Sequence, residues 1–522
     1  MSAPRGPLVV VGDALVDYDV DGEVHRICPD APVPIVEGAR VTPRPGGAAL
    51  AAAMAASFDH SRPVVLLTAL SADPAGVQLS AMLEEAGVEV IAVPLEGPTS
   101  CKVRFRSGGQ SLLRYDVGGA STPRGAMPEG SPSAIDRAGA VVVSDYGLGV
   151  AAMPELRRHL AALRKPVVWD PHPRGAPPVE GACLVVPNKE ELLALAGQCI
   201  GRSLGGPARS ARADGEHPLA SVCRMAEAAR RAWRAQGVAV TLGEGGAVLV
   251  CDEGPPLVVP AGKVGSTDTC GAGDRFAVAA AGALAEGALP SEAVSEAVAL
   301  SGEWVLQGGA SGWSVCQGGA PGWSGRPAAG APRVGELVEL LSGPGAPAAG
   351  SIPRGACHPG AWSAGARSAG ARRGVGGPAA GGLPPATLVA TGGCFDVLHA
   401  GHVQLLETAR ALGDRLVVCL NSDASVRRLK GAGRPVVCEA DRAAMLGALA
   451  CVDEVVVFDE DTPARVLGEL RPQLFVKGGD YAGQLLAEQD VLSCWGGQVL
   501  VVPYLAGRST TRVIRQAREA TV

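Results

Sequence analysis

Residues 387–402 read TLVATGGCFDVLHAGH, and this stretch sets the fold of the C-terminal part of the chain. An apolar run passes through two glycines into a segment that opens a helix, the pattern of strand, tight turn and helix. Glycines at such a turn let the backbone approach a phosphate, and the helix N-terminus favours negative charge there. His399 and His402 lie three residues apart on the first helical turn and point to the same side. Donors in that place stabilise charge developing on a transferred nucleotidyl phosphate, which is electrostatic catalysis rather than covalent catalysis. Two plainer readings stand beside this one: capping or surface histidines, and a metal pair for which no third ligand is evident.

Outward from this stretch the βα rhythm continues through RLVVCLNSD (415–423), a helix at 439–451, EVVVFDE (454–460), LFVKGGDY (474–481) and QVLVVPY (498–504). Five strands in roughly 135 residues is the size of one Rossmann-like domain. Upstream, residues 343–384 are built almost wholly from Gly, Ala, Pro, Ser and Arg. That composition cannot bury enough apolar area to offset its ordering entropy, so it reads as a flexible linker between independently working modules. A short duplication, QGGASGWS (307–314) and QGGAPGWS (317–324), and a Gly/Ser/Arg-rich stretch at 201–218 read as surface insertions.

Before the linker, short Val/Leu runs alternate with helical segments: LVVVGD (8–13), PVVLLTAL (63–70), AVVVSDYG (140–147), PVVWDP (166–171), CLVVPN (183–188) and VAVTLGEGG (238–246). Continuous apolar strands joined by helices indicate a parallel sheet covered on both faces. The region runs to about residue 342, where RVGELVELL reads as its last helix. Its strongest motif is DTCGAGDRF (268–276). Gly271, Ala272 and Gly273 at a helix start form an anion hole of backbone N–H groups for a phosphoryl group. Asp274 at its edge is placed to take a proton from an attacking hydroxyl.

Bulk properties narrow the field. The net charge of −6 gives no basic footprint, which argues against a nucleic-acid partner. The 14 cysteines are scattered, with no C-x-x-C pair, and read as small buried residues of a reducing compartment. No stretch reads as a membrane span or as a leader peptide, so the expectation is a cytoplasmic protein without a membrane partner.

The segment G-x-F-D-x-x-H-x-G-H resembles the signature of the cytidylyltransferase-like nucleotidyltransferases. With NSDASVRRLKG (421–431), RPV (434–436), EDTP (460–463), VKGGDY (476–481) and GRSTTRVI (507–514), the tail resembles the adenylyltransferase half of bifunctional heptose 7-phosphate kinase/heptose 1-phosphate adenylyltransferases. That likeness implies that His399 and His402 contact the triphosphate beside Gly393 and Phe395, that Lys430 and Arg442 offset its charge, and that Ser509, Thr510 and Thr511 donate to phosphate. From the residues alone, Ser-Thr-Thr before an apolar helix is equally an N-cap. Asp459-Glu-Asp-Thr462 mimics an aspartyl-phosphatase D-x-D-x-T, a reading the likeness disfavours.

The longer D-T-x-G-A-G-D-x-F resembles the second signature of the ribokinase-like (PfkB) carbohydrate kinases, and other elements follow in that family's order. Asp13 and Asp17 suit sugar hydroxyls. Gly46 and Gly47, in RPGGAA (44–49), match a di-glycine element that lets substrate lie close to backbone. Asn188 and Glu191 match an N-x-x-E element acting on Mg²⁺ and phosphate, with Glu191 reaching the metal indirectly. Thr241, Gly243 and Gly246 match a nucleotide-side loop. The likeness further implies ATP and sugar-phosphate substrates, Mg²⁺ with ATP, a monovalent cation in the kinase domain, and a homodimer formed through a small lid sheet around 14–40 and 95–118.

Two departures are visible: Leu50 stands where the family carries an Asn, and Leu148 where the resembled kinase shows a Lys. The expectation is therefore α/β, a ribokinase-like three-layer domain (1–342) and a Rossmann-like nucleotidyltransferase (385–522). The activities expected are phosphorylation of a heptose 7-phosphate at its anomeric hydroxyl and adenylyl transfer to heptose 1-phosphate. The alternatives are the same reactions on another sugar phosphate, or a kinase half reduced to a scaffold.

Overall fold

The computed structural model describes residues 5–195, 217–252, 254–262, 268–310, 387–479 and 487–503. The expected linker (343–384), the repeat at 311–324, most of the 201–218 insertion, the expected helix at RVGELVELL and the segment 507–514 lie outside them.

Most of the apolar runs form strands whose residues are buried on both faces, as a parallel sheet between helices demands, the edge strand Glu454–Phe458 being the more exposed one. In chain order the strands are β1 (Leu8–Gly12), β2 (Ala14–Ile27), β3 (Pro34–Gly47), β4 (Val64–Leu70), β5 (Val88–Glu96), β6 (Cys101–Ser107), β7 (Gln110–Val117), β8 (Thr122–Pro123), β9 (Ala140–Ser144) and β10 (Val167–Asp170). They continue as β11 (Leu184–Val185), β12 (Gly237–Thr241), β13 (Ala247–Cys251), β14 (Leu257–Val259), β15 (Leu388–Gly393), β16 (Arg415–Asn421), β17 (Glu454–Phe458), β18 (Leu474–Gly478) and β19 (Gln498–Val502). One sheet runs β17-β16-β15-β18-β19-β14-β13-β12-β11-β10-β9-β1-β4-β5-β8, and a second, of four strands, runs β3-β2-β6-β7.

The first half is the expected three-layer arrangement. Every residue of β1, β4 and β9 is buried. Two Ala-rich helices, Ala48–Phe58 and Ala272–Ala285, pack on one another and on the sheet. Small side chains all round let these helices lie deep in the core instead of presenting a polar face to water. The four-stranded sheet lies where the lid was expected, although its outer strand β7 is almost wholly exposed.

The second half holds the five expected strands in parallel pairing. The helix read at 439–451 closes earlier, at Gly447, because the chain turns at Leu449–Val452 to enter β17. The sequence reading also ran one strand through 238–246. The chain instead leaves β12 at Thr241, turns through Gly243–Gly245 and returns antiparallel as β13. Gly246 makes that return feasible: it sits at φ +85°, and a Cβ there would fall 2.0 Å from the Val259 carbonyl oxygen. All described cysteines are free. Among the described residues no helix is long and apolar enough to cross a membrane.

The same contact defines a test. Gly246→Ala is expected to lower stability by about 2 kcal/mol, read as a fall in denaturant midpoint at constant slope, because it combines positive φ with a backbone clash. An unchanged midpoint would mean that the turn is not held as described.

Candidate functional site

Two clusters of polar groups lie at the carboxyl ends of strands. In the first, the helix Ala272–Ala285 begins at Gly271, which has φ +80° and no side-chain cap. A Cβ on Gly271 would strike the Met54 side chain at 2.8 Å, whereas one on Gly273 would meet nothing within 4 Å. The cradle therefore has a closed apolar floor and an open mouth at Gly273, room that a phosphoryl group fits. Leu50 belongs to the floor, buried with Met54 and Trp304. This is the physical role of a leucine at that position.

Asp274, on the first turn, is buried. It accepts hydrogen bonds from the Tyr146 hydroxyl (2.9 Å) and the Ser144 hydroxyl (3.2 Å). Burial, the largest influence, pushes its carboxyl up to about 6, against the opposing effects of Tyr146, Ser144 and the Lys102 charge. A base with that value is largely ionised at neutral pH yet able to take a proton. Lys102, on β6, stands 4.7 Å from the Tyr146 ring centroid. It makes no hydrogen bond or ion pair with the described residues, and burial lowers its pKa. Asp170, at the end of β10, is part-buried, and burial first, then Asp274 and Glu191, raise its pKa well above the ordinary range.

Several expected ligand groups are engaged with the chain itself. Asp13 accepts the amides of Tyr146, Leu148 and Val150, so it fastens the loop that carries Tyr146. Asp17 pairs with Arg44 (3.2 Å) and Arg104 (2.8 Å). Gly46 and Gly47 have no room for a side chain, because Cβ atoms there would meet Leu15 at 2.4 Å and the Asp13 carbonyl at 2.5 Å. Asn188 and Glu191 exchange hydrogen bonds, each side chain accepting the other's amide, which is a capping box. Asn188 also bridges to Thr241, placing the N-x-x-E element beside the nucleotide-side loop.

In the second cluster, Gly392, Gly393, Phe395, His402, Lys430 and Lys477 are among the residues lining a cleft of about 350 Å³. Phe395 (φ 43°) and Val397 (φ 53°) occupy the left-handed region, which is strained for such side chains. The loop is held there by Asp396, which accepts the Val436 and Val437 amides and pairs with Arg434. Burial alone would raise the Asp396 carboxyl, but these donors outweigh it and hold it below the usual range.

His399 stands at the N-cap position of the helix Ala400–Ala411 without a side-chain capping bond, and its ring stacks on His402 with centroids 3.9 Å apart. Burial, reinforced by His399 and Lys430, pushes His402 down to about 4. The imidazole is thus neutral at physiological pH. Its buried Nδ1 has no hydrogen-bond partner among the described residues.

Arg442 does not face this cleft. It is 1 % exposed and donates to the Val437, Cys394 and Asn421 carbonyls and to Asp423. The expectation that it offsets triphosphate charge is corrected to this: it clamps the backbone of the phosphate-side loop. Ser509, Thr510 and Thr511 lie outside the described residues. In the D-E-D-T stretch, Asp459 accepts from Ser422, and Asp461 pairs with Arg428. Among the described residues no acidic, His or Cys group has the arrangement of a metal site.

Ser144, Tyr146, Lys102 and Asp170 in the first cluster, and Asp396, Arg434 and Lys477 in the second, were not singled out from sequence. The SDYG motif and the RPV and VKGG runs were the available signals.

Comparison with known proteins accords with this division. Residues 7–315 match the family model of the pfkB family carbohydrate kinases, and residues 390–513 match the cytidylyltransferase-like model. The bifunctional protein HldE of Streptomyces coelicolor is 45% identical over 518 residues, covering 99% of this chain and 97% of that one. The protein of the same name from Halorhodospira halophila is 36% identical over 98% of this chain and 97% of its own. The one from Azorhizobium caulinodans is 35% identical over 98% of both.

Two outcomes are expected. Tyr146→Phe removes a donor from the Asp274 carboxylate, so its pKa rises and the acid limb of the kinase pH–rate profile moves up by ~1 unit. Activity then falls most below neutral pH and least above it. Arg442→Ala leaves buried carbonyls unpaired and takes from Asp423 its 2.7 Å partner, and is expected to destabilise the second half by ~3 kcal/mol in denaturant titration. A raised KM for ATP with unchanged stability would return Arg442 to the phosphate.

Proposed function

This chain belongs to the family of bifunctional HldE proteins, a pfkB-type carbohydrate kinase followed by a cytidylyltransferase-like domain, and from that premise we propose a residue-level account of its two reactions. The front half phosphorylates heptose 7-phosphate at the anomeric hydroxyl with ATP. The rear half joins heptose 1-phosphate to AMP from ATP, giving ADP-heptose and pyrophosphate. The working division is 1–342, a linker at 343–384, and 385–522.

One observation carries the kinase reading: a buried carboxylate with a raised pKa stands at the edge of an open cradle of backbone amides. Asp274 takes the proton of the anomeric hydroxyl as its oxygen attacks the γ-phosphorus of ATP. The amides of Gly271 and Gly273 face the charge on the transferred group, while the Ala272 amide donates to the Thr269 carbonyl (3.1 Å) and shapes the turn. Tyr146 and Ser144 hold the base in position, and unpaired Lys102 meets the phosphate that the acceptor already carries. Kinases of this kind work with Mg²⁺. Burial, then the nearby Asp274 and Glu191 carboxylates, raise the Asp170 carboxyl, and this negative surround suits a cation that Glu191 and Asp170 would help to hold. When bound, Mg²⁺ neutralises charge on the nucleotide phosphates. An intact base and open cradle disfavour a kinase half that only binds.

In the rear half, the neutral imidazole of His402, with an unpartnered buried nitrogen, is a hydrogen-bonding group for the triphosphate. His399 fixes it by stacking, while Lys430 brings positive charge to the cleft; the Lys477 ammonium there is paired with Glu488 at 2.7 Å. The kinase product carries a 7-phosphate that the transferase substrate lacks, so the two reactions are joined by a hydrolysis that removes it. The reading also includes a dimer through the four-stranded sheet, a cytoplasmic location and a monovalent cation in the kinase half.

In the intact chain, Asp274→Asn is expected to cut phosphorylation about a thousandfold and leave adenylyl transfer unchanged. His402→Ala is expected to cut adenylyl transfer about a hundredfold and leave the kinase unchanged. Coupled assays for ADP and for pyrophosphate read the two separately. Retained kinase turnover in Asp274→Asn would remove the base from this account.

A further inference from the structure

The last described strand of the first half and the last described strand of the second meet edge to edge, β14 beside β19, in parallel register with Leu257 opposite Val501. The Val501 amide donates to the Pro256 carbonyl at 2.8 Å, and Val501 has no exposed surface. Both apolar layers run through the seam. Val501 packs in one cluster with Leu257 and Val259, while Leu500 and Val502 share the opposite cluster with Val258. The period-two alternation of the two strands therefore matches on both faces, which a chance apposition of surfaces does not require. Left uncovered, β14 would present an apolar strand edge with unpaired backbone groups, a liability that folded proteins cover.

We infer that β19 is the edge cover of the kinase sheet, so that the two halves form one docked unit in solution rather than separate bodies on a linker. The docking strand is next to both chemistries. Gly246, on the nucleotide-side loop of the kinase, is in contact with Val259 and Ala261 at the end of β14. The β18 strand beside β19 ends at Lys477 and Gly478, which line the transferase cleft. Because β12, β14 and β19 run in the same direction, both clusters open on the same carboxyl edge of a single sheet.

Residue-resolved amide hydrogen exchange on the full chain tests this. The Val501 amide is expected to exchange ~100-fold more slowly than in an unstructured peptide. Leu257→Asp is expected to speed exchange at Val501 at least ~10-fold while Leu500, whose partner is Val476 in β18, changes little. Val501 exchanging at the unstructured rate in the unaltered chain, or equally protected in Leu257→Asp, would overturn the inference. Should Leu257→Asp not fold, the rate in the unaltered chain decides alone.

Discussion

Everything functional in this molecule depends on strands that run parallel with both faces buried. Parallel pairing sends the carboxyl ends of the parallel strands to one edge of the sheet, and burial of both faces leaves that edge as the place where polar groups gather. Asp13, Ser144, Asp170 and Thr241 end or follow β1, β9, β10 and β12, while Gly393, Asn421 and Gly478 end β15, β16 and β18. The two clusters are products of the same topology, built twice with different side chains. Neither needs a strongly basic surface to attract a polyanion, which agrees with a chain of net charge −6.

Burial then sets the chemistry. The same loss of water that raises Asp274 towards neutrality lowers His402, so that one site holds a base able to accept a proton and the other a neutral imidazole. The surrounding hydrogen bonds tune this. Tyr146 and Ser144 keep Asp274 from rising further, and Asp396 stays ionised because backbone amides and Arg434 face it. Strain at Phe395 and Val397 is maintained by Asp396, and Arg442 fixes the carbonyl of Cys394 on the preceding side. These are positioning interactions, and they explain why much of the polar inventory touches protein and not ligand.

Much of the fold was legible because long apolar runs and glycine turns are local signals. LVVVG, VVLLTAL and RLVVCLN declare buried parallel strands without reference to anything else in the chain. The two loops were legible for the same reason, since glycine, helix start and a nearby Asp or His are contiguous. Arg442 was misassigned because an arginine in a motif-rich stretch has no local mark of burial, and only the fold brings three carbonyls around it. Tyr146 and Lys102 were missed because Tyr146 reaches Asp274 from the loop after β9 and Lys102 lies over the Tyr146 ring from β6, both more than a hundred residues from Asp274 in sequence. The β14–β19 seam was illegible for the same reason in stronger form: a three-residue strand carries too little pattern to announce a partner across the linker.

The central claim is that one chain carries two separate nucleotide cradles, each at the carboxyl edge of its own set of strands. Calorimetric titration of the full chain with a non-hydrolysable ATP analogue and Mg²⁺ addresses it most directly. The account predicts two nucleotides bound per chain. A stoichiometry of one would contradict it.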